Sequence, residues 1–161
     1  MRRLLAFMVV PLLALSACNG DDDLPDDAPD EDVEETDEDY SIEDQPDDAA
    51  ASFVSPSDGD TVSSPVEVEL AAEGVELAPA GPAVAGEGHL HVMADIGCYE
   101  TGENIPGPSD EDEAEGRFHL GDGSDARELD LEPGTYELCV QLGDGLHIAY
   151  GETETITITV E

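Results

Sequence analysis

TYELCVQL, Thr135–Leu142, alternates apolar and polar side chains over eight positions, and a period of two belongs to a β-strand. Tyr136, Leu138, Val140 and Leu142 fall on one face and Glu137, Cys139 and Gln141 on the other. HLHVMADI, His89–Ile96, repeats the pattern: Leu90, Val92, Ala94 and Ile96 face the core, with His89, His91, Met93 and Asp95 expected on the polar, solvent side. In RFHL, Phe118 and Leu120 point inward and Arg117 and His119 outward, and the terminal TITITV buries Ile156, Ile158 and Val160. Strands are expected near Phe53–Ser55, Val66–Ala72, His89–Ile96, Arg117–Leu120, Ala126–Leu131, Thr135–Leu142 and Thr153–Val160, punctuated by turns at SPSDGD, EPG and GDG. No window carries uninterrupted helical periodicity, so the reading is all-β: an immunoglobulin-like antiparallel β-sandwich of about seven strands over residues 53–161.

What precedes that domain is different in kind. Residues 1–17 show two arginines, an apolar run from Leu4 to Leu15 and then small residues, the layout of a secretory signal too short for a comfortable membrane span. The run ends in Leu15-Ser16-Ala17-Cys18, which resembles a bacterial lipobox, so Cys18 is expected to carry a lipid anchor to the membrane. Residues 18–52 hold 17 acidic residues, no basic one and little to bury, and read as a disordered acidic tether.

With Cys18 assigned to lipid, Cys98 and Cys139 remain as an even pair in an exported chain, and a disulfide is the economical use of them. Soft metal ligation is the other use. The chain has 42 acidic residues against four arginines and no lysine, which argues against nucleic acid as a partner because phosphate binding needs cations. Twenty-five of those acids lie between Phe53 and Glu161 against only Arg117 and Arg127, a self-repelling balance that suits a salt-rich, halophilic habitat.

The chain holds four histidines: His89, His91, His119 and His147. An H-x-H on a strand presents two imidazoles to one side, and His119 and His147 are candidates to complete a copper or zinc site, with Met93 able to favour reduced copper. Polar decoration of a solvent-facing sheet accounts for the same residues without a metal. Oxygen-rich loops at Asp58–Asp60, Ser109–Gly116 and Gly121–Ala126 allow calcium, without the spacing of an EF-hand loop. No Gly-x-Ser-x-Gly elbow, phosphate-cradling glycine loop or HExxH helix is present, so an enzyme is not expected.

The order SPSDGDTVSSPVEVEL, APAG, GHLHV, RFHLGDG, LDLEPGTYELCVQLGDGLH and ITITV resembles an exported bacterial domain of unknown function, the family numbered 4399. The resemblance implies a compact exported β-domain and places the four histidines at recurrent positions of the family. It implies no activity. One departure stands out: where relatives often carry His-x-Pro-His, this chain reads His147-Ile148-Ala149-Tyr150, which implies a weaker or different site if the extra imidazole is a ligand elsewhere. Cys98 and Cys139 look like local additions to the pattern. The expected role is a lipid-anchored extracytoplasmic module of the cell envelope that meets an unknown envelope protein or glycan, with a surface metal-binding domain as the alternative.

Overall fold

The computed structural model describes residues 40–161. The expected signal peptide, Cys18 and most of the acidic tether lie outside the described residues. Ahead of the domain start expected at residue 53, Ala49 and Ala51 are fully or nearly fully buried. Two alanines in an acidic stretch give little hydrophobic signal, yet they close one end of the core.

The fold is nearly all β, as expected. Its strands are β1 (Ala50–Ser55), β2 (Thr61–Val62), β3 (Val66–Glu73), β4 (Glu76–Leu77), β5 (Glu87–Ala94), β6 (Arg117–Leu120), β7 (Ala126–Leu129), β8 (Gly134–Gly143) and β9 (Ala149–Val160). All seven expected strands are present, and β2 and β4 are two-residue additions. One layer runs β1–β3–β7 and the other β2–β9–β8–β5–β6, linked where Ala50 of β1 meets Glu152 of β9. The long ladders are antiparallel; the short contacts of β9 with β1 and β2, and of β5 with β4, are parallel and make the curled sheet mixed.

Alternation builds the core between the layers. Val66, Val68 and Leu70 of β3 are buried while Glu67 and Glu69 are exposed, and they meet Leu90, Val92, Leu138, Val140, Leu142, Ile156 and Ile158 from the other layer. At the mouth of β8 the Tyr136 hydroxyl donates to the Glu132 carbonyl at 3.0 Å, the backbone-tying device known in immunoglobulin-like sandwiches as a tyrosine corner.

Three expectations need correcting. Ile96 lies beyond the end of β5 and is half exposed rather than in the core. A short helix, α1 (Asp110–Ala114), forms where no helix is expected; five residues are too few to show a period, and Ser109 caps it by accepting from the Asp112 N–H. The largest correction concerns the outer face of β5 and β8. His89, His91, Met93, Cys139 and Gln141 do lie opposite the core, but they are buried.

What covers them is the segment after β5. Cys98 and Cys139 form the expected disulfide, with Cα atoms 5.7 Å apart. Beside it, Gln141 accepts from the Tyr99 N–H and donates to the Tyr99 carbonyl. Further along, the Ile105 N–H donates to the His147 carbonyl, Asn104 bridges to Ile148, and the Ile105 side chain is buried. A sheet face with an irregular lid therefore replaces the solvated face that alternation alone suggests.

Candidate metal centre

β5 sends His89 and His91 to the covered face, and the antiparallel register of β6 sets His119 directly opposite His91. His147 arrives from the turn between β8 and β9, with a backbone φ of 67° that non-glycine residues rarely adopt. The turn is held by Asp144, whose carboxylate accepts from the Leu146 and Ile148 N–H groups at 2.8 and 2.9 Å, and whose carbonyl accepts from the His147 N–H.

The four imidazoles converge. Each offers one ligand nitrogen, and these nitrogens all lie within 4.8 Å of one another. His89 and His91 meet Nε2 to Nε2 at 2.9 Å, and His119 and His147 do so at 3.0 Å. Ring centroids are separated by 4.7 to 5.5 Å across all six pairs. A tetrahedral ion with zinc–nitrogen bonds needs ligand nitrogens about 3.3 Å apart. The observed separations, from 2.9 Å to within 4.8 Å, bracket that value.

Glycines make room for it. A Cβ on Gly121 would stand 1.7 Å from the His119 ring, and one on Gly143 would stand 2.9 Å from His91 Nε2. His89 and His91 are fully buried, whereas His119 and His147 are half-buried and form the accessible side. Nδ1 of His89 is the one buried side-chain polar atom among the described residues without a hydrogen-bond partner. Such an atom is costly unless an ion or a water satisfies it.

Electrostatics keep these rings neutral. Burial, reinforced by His119 and His147, lowers the His89 pKa to about 4. Burial and then the other three histidines hold His91 well below the ordinary value, and burial also lowers His119 and His147. The nearby Asp144 charge works the other way on His89 and His147. Neutral imidazoles keep the lone pairs that metal coordination uses.

The same shifts set a pH dependence of stability. The folded values lie below the unfolded 6.5, so the unfolded chain takes up protons first and the contribution, complete above pH 6.5, is lost as pH falls toward 4. Each imidazole that stays neutral in the fold costs ~1.4 kcal/mol per pH unit in that range. The urea midpoint of the chelator-treated protein should therefore drop between pH 7 and 5.5, above the range where ordinary carboxylates titrate. A midpoint that is flat or rising there would contradict the neutral cluster.

Met93 is buried two residues beyond His91 on the same face, opposite Arg117 and Cys139 in register. Tyr150, at the position where the family resemblance implied another histidine, packs in the core and donates to the Glu87 carbonyl at 3.1 Å. The four-membered set assembles without that position. Several carboxylates of the acidic loops are engaged locally: Asp58 accepts from the Thr157 N–H, Asp60 from the Ser57 N–H and Asp122 from the Ser124 N–H. Asp112 and Glu115 pair with Arg117, and Glu113 with Arg127. Nitrogen ligands suit zinc or copper and not calcium.

The four histidines expected as one ligand set are brought together, but their burial was not visible in sequence, because the lid that covers them has no period to read. Gly121 and Gly143 are the residues that carried a signal, each sitting where a side chain would strike a ring.

Fold and site together define a small β-sandwich with an all-imidazole cluster beneath a disulfide-pinned lid. The family model for the domain of unknown function DUF4399 matches residues 68–161, and the chain belongs to that family. A comparison with curated proteins returns no match.

Proposed function

We propose that the domain binds one transition-metal ion, Cu(II) or Zn(II), through His89, His91, His119 and His147. The observation that carries this reading is the convergence of all four histidines of the chain from two strands and a strained turn. A structural or interaction role in the cell envelope accounts for a sandwich on a tether, but it gives no reason for four neutral imidazoles to share one pocket. Four protein ligands would fill a tetrahedral Zn(II) and leave no position for a substrate or an activated water, so the zinc-loaded centre fits metal holding or delivery rather than hydrolysis. The layout of the first 18 residues supports an extracytoplasmic, lipid-anchored setting through Cys18, where the domain meets metal outside the membrane.

Titration of the chelator-stripped protein with Cu(II) and Zn(II), read by native mass spectrometry, tests the proposal. One ion per chain is expected, with saturation at one equivalent. Absence of saturable uptake for both ions overturns it.

A further inference from the structure

Asp144 is fully buried and, among the described residues, has no cationic partner: Arg117 and Arg127 pair with Asp112, Glu113 and Glu115. A buried carboxylate held by hydrogen bonds alone gains further from an opposite charge placed nearby, which an ion at the histidine cluster would supply. Oδ1 is committed to the turn that carries His147, and Oδ2 accepts from the Tyr40 hydroxyl at 2.8 Å. Burial first, and then that hydrogen bond, push the Tyr40 pKa up to about 12, so the hydroxyl stays a donor.

Tyr40 belongs to a strap outside the family-matched residues. The next contact along the strap is Gln45, which is buried. Its Nε2 donates to the Tyr40 hydroxyl oxygen at 3.1 Å and to the Val84 and Glu87 carbonyls at 3.2 Å, while its Oε1 accepts from the Gly86 N–H at 2.9 Å. The strap thus grips the start of β5, two residues before His89, and the turn that carries His147. Both grips lie on elements that deliver imidazoles.

We propose that Asp144 and Tyr40 are positioning residues of the metal centre, with Asp144 supplying the balancing negative charge and the Tyr40–Gln45 strap latching the ligand-bearing elements. The inference rests on the metal reading and adds that this chain closes its centre with residues from beyond the family domain. Outer-shell partners of this kind are worth about 10- to 100-fold in metal affinity. Coupling is reciprocal, so the bound ion tightens the latch by the factor by which the latch tightens the ion.

The test uses the full-length chain and Zn(II) in competition with a chromophoric chelator, comparing wild type, Tyr40→Phe and Asp144→Asn. Tyr40→Phe removes one hydroxyl, and Asp144→Asn keeps an acceptor for the turn while removing the charge. Affinity should fall about 10-fold in the first and up to about 100-fold in the second. Zinc should also slow amide exchange of Gly86 in wild type, about 10-fold, and much less in Tyr40→Phe. Wild-type affinity within twofold in Tyr40→Phe, together with metal-insensitive Gly86 exchange, overturns the latch alone. Lack of zinc uptake by the wild type overturns the metal reading and the latch with it. Where Asp144→Asn does not fold, Tyr40→Phe decides.

Discussion

Replacing His91 with alanine should abolish stoichiometric Cu(II) and Zn(II) uptake while the domain stays folded. His91 is one of the two fully buried histidines of the cluster: it pairs across the strand with His119, meets His89 at 2.9 Å and lies against Gly143. Alanine leaves three imidazoles around an opened position, and the vacated volume admits water. Loss of a direct ligand should exceed the 10- to 100-fold cost of an outer-shell change, so affinity is expected to fall more than about 100-fold. The apolar core lies on the opposite face of β5, through Leu90 and Val92, and the far-UV circular dichroism should be unchanged. Met93→Leu is the matched control. It alters a buried residue of the same face that carries no imidazole, and because zinc favours imidazole over thioether the variant should bind Zn(II) as the wild type does. Near-wild-type uptake by His91→Ala would remove the imidazole cluster as the binding site.

Much of the fold could be read from the chain because β-alternation is a local property. VEVEL, TYELCVQL and TITITV each show which side chains face the core, and the structure buries Val66, Val68, Leu138, Val140, Ile156 and Ile158 accordingly. The same alternation placed the histidines correctly on the far face of β5 and then failed on their exposure. Whether a second face is wet depends on what crosses it, and here that is residues 98–105, a stretch without periodicity held by the disulfide, by Gln141 and by backbone hydrogen bonds to His147 and Ala149. The meeting of the four rings was equally beyond local reading. It depends on the β5–β6 register, which sets His91 beside His119, and on a left-handed backbone at His147 that Asp144 enforces. The contacts of Tyr40, Gln45 and Ala49 were hidden for a simpler reason: they come from a stretch whose composition is that of a tether.

Removing the disulfide, as Cys98→Ser with Cys139→Ser, should produce the largest loss of stability of any change considered. The bridge spans 41 residues of sequence, and in the chain-entropy model a closed loop of that size is worth about 4 kcal/mol. For a folded region of this length that corresponds to roughly 15 °C in melting temperature. The effect acts mainly on the unfolded chain, and the folded lid keeps its other fastenings: the Tyr99–Gln141 pair, the Asn104–Ile148 bridge and buried Ile105. Stability and metal affinity should therefore separate. Urea unfolding of the serine variant is expected to show a loss of several kcal/mol, while Zn(II) affinity measured well below the melting point changes less than about tenfold. A comparable collapse of both would mean that the bridge shapes the native pocket directly. A stability change under about 1 kcal/mol would mean that the unfolded chain already holds the lid near β8 without it.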